Sequence, residues 1–113
     1  MVSPRATIGA GCVVMQGAIV QSCTNIGKHC IINTGASIDH DCQIGNFVHI
    51  SPHATLCGNV QVGDGCWIGA GATIVPGVKI GKWASIGAGA AVIRNVPDNT
   101  VVAGVPAKII KYK

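Results

Sequence analysis

Stepping along the chain from Val2 in intervals of six gives Val2, Ile8, Val14, Val20, Ile26, Ile32, Ile38, Ile44, Ile50, Leu56, Val62, Ile68, Ile74, Ile80, Ile86 and Val92. Every one of these positions is a branched aliphatic residue. Four residues after each comes a small residue: Ala6, Cys12, Ala18, Thr24, Cys30, Ala36, Cys42 and so on to Val96. An amphipathic helix would repeat near 3.6 residues and a simple strand at 2, so neither explains a period of six. A unit with one aliphatic anchor, one small residue and frequent glycine reads as a short strand followed by a tight turn. One such unit cannot bury its own anchor, so the units must stack as a solenoid.

Three units make a triangular coil, and coils stack at roughly the 4.8 Å spacing of paired strands. The prediction is an all-β fold of about six coils near 30 Å long over residues 1–97, with a short segment, 98–113, packing back on it. β-branched side chains suit the interior columns because they are stiff and pack well on a pleated surface. Composition agrees with this organisation. Only 11% of the 113 residues are charged and 4% aromatic, against 16 glycines. No apolar run approaches the roughly 18 residues of a membrane span, and MVSPRATIGAG lacks the layout of a signal peptide. The expected location is the cytoplasm.

The net charge is +4, with Lys108, Lys111 and Lys113 at the C-terminus and Lys79, Lys82 and Arg94 before them. No aromatic or Arg-rich stacking platform accompanies these residues, which argues against nucleic acid. A small polyanion such as a phosphate-bearing cofactor fits better.

A period of eighteen sorts the units into three faces. Units opening IGAGCV, IGKHCI, IGNFVH, VGDGCW and IGKWAS share the first. The third face (VQSCTN, IDHDCQ, LCGNVQ, IVPGVK, VIRNVP) never has glycine second and carries His40 and Asp41. Outward columns follow from the same period: Ser22, His40, Gly58, Pro76 and Arg94; His29, Phe47, Gly65 and Trp83; Ile31, His49, Trp67 and Ser85. Exposed aromatics on an aromatic-poor prism mark a contact surface.

Among the six cysteines, Cys12, Cys30, Cys42 and Cys66 fill the small interior slot, a packing role. Cys12 and Cys30 stack on adjacent coils at a separation that admits a disulfide in principle, although a reducing cytoplasm favours thiols. No CxxC pair suggests a thiolate zinc site. Cys23 and Cys57 have no role that the pattern assigns.

His40, His49 and His53 crowd into SIDHDCQIGNFVHISPH, residues 37–53. An imidazole titrates near neutral pH, and an adjacent carboxylate such as Asp39 or Asp41 orients it and raises its basicity. His40 is therefore a candidate general base, with a solvated turn residue as the plain alternative.

The repeat resembles that of the hexapeptide-repeat acyltransferases over essentially the whole chain, which implies a left-handed parallel β-helix. The stretch NTGASIDHDCQIGNFVHIS (33–51) resembles the signature of the nucleotide-sugar acetyltransferases that act on sialic acid, bacillosamine or perosamine precursors. The resemblance implies transfer from acetyl-CoA to an amino or hydroxyl group of a sugar or nucleotide-sugar, in a homotrimer with sites between neighbouring prisms. It places the catalytic base on His40 and its tuning acid on Asp41. It places His49 against the thioester and Asn33 against the acceptor. Gly58, Ala70 and Ala88 fall where small residues allow the pantetheine arm close. VVAGVPAKIIK (101–111) is similar to the family's closing segment, which makes Lys108 a candidate contact for a coenzyme phosphate. Members of the group usually carry an N-terminal nucleotide-sugar-binding domain before the β-helix; here the repeat begins at once, so that domain is expected to be absent.

The pattern also admits two other readings. γ-Class carbonic anhydrases share the fold and bind zinc through histidines across a subunit interface, and His29, His40, His49 and His53 could supply three. Their paired His-x4-His spacing is missing, the local separations being nine and four residues, and no metal is expected. A structural or ice-binding solenoid would want regular threonine ladders, which the sequence lacks.

Overall fold

The computed structural model describes residues 1–113. Fifteen two-residue strands, one ending at each aliphatic anchor from Ile8 to Val92, alternate with tight turns. They stack into three parallel sheets. Sheet one runs through Thr7–Ile8, Asn25–Ile26, Gln43–Ile44, Gln61–Val62 and Lys79–Ile80. Sheet two contains Val13–Val14, Ile31–Ile32, His49–Ile50, Trp67–Ile68 and Ser85–Ile86. Sheet three contains Ile19–Val20, Ser37–Ile38, Thr55–Leu56, Thr73–Ile74 and Ala91–Val92. Register partners throughout these ladders lie one coil of eighteen residues apart, as in Thr7↔Asn25 and Ile38↔Leu56. The fold is the expected all-β parallel solenoid.

It completes five turns rather than the six anticipated from chain length. After Val92 the chain makes only one further bridge to sheet one, Ile80↔Val96, before it leaves the coil. Strand Thr100–Gly104 then joins sheet two beside Ser85–Ile86, with Ser85 opposite Val101, two residues short of the eighteen-residue step. It turns back antiparallel into Ala107–Tyr112, forming a hairpin. No helix is long and apolar enough to cross a membrane.

The interior is a single cluster of 27 buried apolar residues. Its axis is built from columns such as Val20–Ile38–Leu56–Ile74–Val92, each member no more than 1% exposed. Full burial of one such side chain is worth about 1.5–3 kcal/mol. Val102 and Ala107 of the hairpin pack against one end of this cluster, while at the other Val2 is 41% exposed.

All six cysteines are free thiols. Cys30, Cys42 and Cys66 are buried, and burial pushes each thiol above its ordinary pKa. Cys12 Sγ accepts the Cys30 amide at 3.3 Å rather than bonding to its sulfur.

Leu56→Ala opens a void between the fully buried Ile38 and Ile74, and should lower the unfolding free energy by about 2–5 kcal/mol. Denaturant titration measures this; a loss well below that range would mean that the axis is loosely packed.

Candidate active site

The turns, rather than the two-residue strands, carry most of the chemistry. At most of the turns the second residue has positive φ. Between sheets three and one that series is Cys23, Asp41, Asn59 and Gly77, with φ of 61°, 58°, 60° and 79°. Asp and Asn tolerate this left-handed conformation better than other side chains. Asp41 is held there by its amide, which donates to the Ser22 carbonyl on the preceding coil at 3.1 Å.

This geometry folds the Asp41 carboxylate back on its own neighbour. Asp41 Oδ2 stands 2.9 Å from His40 Nδ1. The His40 amide is tied to Asp39 Oδ1 at 2.8 Å, so of the two flanking aspartates Asp41 holds the ring and Asp39 holds the backbone. A carboxylate only accepts, so Nδ1 carries the proton and Nε2 keeps a lone pair. The pair is half exposed, with side-chain accessibilities of 52% and 53%. An oriented imidazole with a free, accessible Nε2 is the arrangement a general base requires.

Gly58 lies directly beneath this ring, one coil along. A Cβ at Gly58 would fall 2.7 Å from His40 Nε2 and 2.8 Å from Cε1. Its lack of a side chain is therefore explained by the imidazole. Rings over glycines recur at the other corners, with His29 over Gly11, His53 over Gly35 and Trp83 over Gly65.

His49 lies on sheet two, between Ile31 and Trp67 in the ladder. The indole meets it edge-on, centroids 4.3 Å apart at 75°. Burial holds its pKa below the ordinary imidazole value, so it is neutral at pH 7. Asn33 Nδ2 lies 3.2 Å from His49 Nε2. Ala70 and Ala88 are exposed at the corner between sheets two and three. Gly71 and Gly89 beside them have no other atom within 4 Å of an added Cβ, which leaves an open track of small residues.

Lys108 lines a cleft of about 270 Å³ where the hairpin crosses the last coil, and Arg94 lines it too. Arg94 belongs to the His40 column, three coils on, or roughly 14 Å along the axis. The sequence pattern placed Arg94 in that column but gave no sign that the hairpin would bring Lys108 to it.

The four histidines do not converge. His29 sits at the corner between sheets one and two, His53 at that between two and three, His40 at that between three and one, and His49 on sheet two. No three His, Cys, Asp or Glu side chains of the chain group as metal ligands do. Sheet two is the side of the triangle opposite the His40 corner. One prism therefore presents His40, Asp41 and Gly58 on one side and His49, Asn33, Ala70 and Ala88 on the other.

The sequence profile of bacterial transferase hexapeptide (six repeats) matches residues 23–58 and 59–94. No curated protein sequence matches the chain. Among solved structures, the acetyltransferase domain of PglB from Neisseria gonorrhoeae, also determined with acetyl coenzyme A, is 45% identical over 96% of the chain, with a TM-score of 0.96. PerB from Caulobacter crescentus, in complex with CoA and GDP-perosamine, is 44% identical over 97% of the chain, with a TM-score of 0.96. WeeI from Acinetobacter baumannii is 33% identical over 96%, with a TM-score of 0.73. The chain spans about half of each of these structures, 53% of the first two and 56% of the third.

Asp41 holds a left-handed backbone that costs an ordinary side chain about 1–2 kcal/mol and Asp less than that, while glycine adopts it freely. Asp41→Gly should leave the unfolding midpoint unchanged or raise it, read by thermal denaturation. A clear fall would mean that the contact to His40 outweighs the backbone strain.

Proposed function

Because the chain belongs to the bacterial hexapeptide-repeat transferases, a family of left-handed β-helix acetyltransferases, we propose that it transfers the acetyl group of acetyl-CoA to an amino group of a nucleotide-linked sugar. The observation that carries this reading is the His40–Asp41 pair, held at 2.9 Å on an exposed corner with Nε2 free. The amine is preferred over a hydroxyl because the Caulobacter relative is a perosamine N-acetyltransferase. Two structures of that relative with CoA and GDP-perosamine replace one histidine, by Asn and by Ala.

His40 Nε2 removes a proton from the acceptor amine as its nitrogen attacks the thioester carbonyl carbon. Asp41 stabilises the imidazolium that forms. Collapse of the tetrahedral species forms the amide and breaks the carbon–sulfur bond, and CoA leaves as its thiol, taking up the proton that His40 received. Transfer is direct. Cys42, the thiol nearest in sequence, is fully buried, donates to the Cys57 carbonyl at 3.2 Å and has a raised pKa, so it is no nucleophile. His49 faces the thioester, Asn33 stands beside it towards the acceptor, and the pantetheine arm follows the small residues Ala70 and Ala88. Gly58 keeps the His40 side of the groove low. Lys108 with Arg94 offers two cations to a coenzyme phosphate.

This assignment needs two prisms, since His40 and His49 stand on opposite sides of one. Supporting it, the sheet-two side and its adjoining corner expose Ile31, Phe47, Trp67 and Trp83 at 41–59%. Apolar exposure of that kind suits a second copy of the chain, and a closed homotrimer gives each His40 corner a neighbouring sheet two.

General-base catalysis contributes about 10²–10⁴-fold. His40→Ala should lower kcat by that factor in an assay of CoA release with amino-sugar nucleotides, while leaving acetyl-CoA affinity unchanged. Equal rates for the two proteins would remove His40 as the base.

A further inference from the structure

Asn33 is engaged at both ends of its amide. Its Oδ1 accepts the Thr34 amide N–H at 2.8 Å, and its Nδ2 lies 3.2 Å from His49 Nε2. The backbone contact fixes which way the amide faces. With the amide reversed, the NH₂ group would meet the Thr34 N–H, donor against donor. Nδ2 is therefore the atom presented to His49, and as a pure donor it requires a lone pair on Nε2. The remaining proton of the neutral ring must be on Nδ1.

From this geometry we infer that Asn33 is a positioning residue that locks His49 as the Nδ1–H tautomer, leaving Nδ1–H as the donor offered to the thioester carbonyl oxygen. The inference rests on the acetyl-transfer reading for its purpose, but not for its structural content. The rest of the ring's surroundings agree with it. Ile31 and Trp67 flank His49 in the ladder and Asn33 meets its Nε2; none of the three is charged. Burial alone lowers its pKa, which keeps the ring neutral and the tautomer meaningful at pH 7.

The two histidines thus carry their proton on the same nitrogen but offer opposite functions. Asp41 occupies Nδ1 of His40 and leaves a base exposed; Asn33 occupies Nε2 of His49 and leaves an acid exposed. A donor aimed where negative charge develops on the carbonyl oxygen is worth about 10²–10³ in kcat where such donors have been removed. Asn33 retains one N–H and one Oδ1 lone pair, which stay available to the acceptor.

The experiment is ¹⁵N NMR of the full chain labelled at histidine, with His49 assigned by its absence in His49→Gln. The expected wild-type spectrum at pH 7.5 shows His49 protonated at Nδ1, titrating below the ordinary imidazole midpoint. In Asn33→Asp the carboxylate can only accept, so the proton should move to Nε2 and the midpoint should rise. Asn33→Ala should give a mixture of tautomers. Activity of Asn33→Asp should fall at least tenfold in kcat. A wild-type His49 protonated at Nε2, or a tautomer indifferent to both substitutions, would overturn the inference. So would a defect confined to acceptor KM with His49 unchanged, which would leave Asn33 as an acceptor contact only. The tautomer is read without turnover, so a protein inactive on every sugar tried would refute the transfer reading while the spectrum still decides this one.

Discussion

Everything in this molecule depends on the parallel backbone ladder between coils. Amides bond to carbonyls on the next turn of the solenoid, as in Thr7 N–H to Thr24 and Gln43 N–H to Val60, at 2.9–3.0 Å. The aliphatic columns fix the register of that ladder, because a slip of one residue would turn each anchor out to solvent. Residue i is thereby bound to neighbour i+18, and the contents of every outward column are set. The chemistry is an ornament permitted by that rigidity.

Rigidity also explains how a two-residue turn can hold an oriented histidine–carboxylate pair. The ladder bond from Asp41 N–H to Ser22 and the Asx contact at Asp39 fix the backbone, and the left-handed turn position directs the carboxylate onto its own preceding histidine. Gly58 gives the imidazole its floor. On the opposite side, strand residues set His49 between Ile31 and Trp67 and let Asn33 reach it diagonally from the adjacent coil. The separation of these two half-sites across the triangle is what makes the proposed chemistry a property of neighbouring prisms.

The period of six made the sheets, the interior columns and the vertical neighbours legible in the sequence. His40 above Gly58 and Ile31–His49–Trp67 could be written down from steps of eighteen. The number of coils was overestimated because chain length was counted into the solenoid, whereas after the Val96 bridge the chain leaves the coil and closes as an antiparallel hairpin. The six-residue pattern marks that change only by Asp98 standing where the next aliphatic anchor would fall. The meeting of Asn33 with His49 was missed because it is diagonal, sixteen residues apart, between positions on either side of an anchor. Alternation along a strand puts both on one face, so the signal existed but lay off the column being read. The approach of Lys108 to Arg94 had no such signal, since it depends on where the terminal hairpin crosses the prism. The packing of Gly58 under the His40 ring is a second reason for a glycine there, beside the room for a coenzyme that the resemblance implies.

The most direct test of the two-prism site is complementation between inactive variants. His40→Ala and His49→Ala chains, each purified, are mixed under denaturing conditions, refolded together and assayed for acetyl transfer against each variant refolded alone. If the site joins His40 of one chain to His49 of the next, some interfaces in the mixture carry both histidines, and activity rises well above either variant by itself. If both histidines act from one chain, no mixed interface is complete, and the mixture stays as inactive as its components.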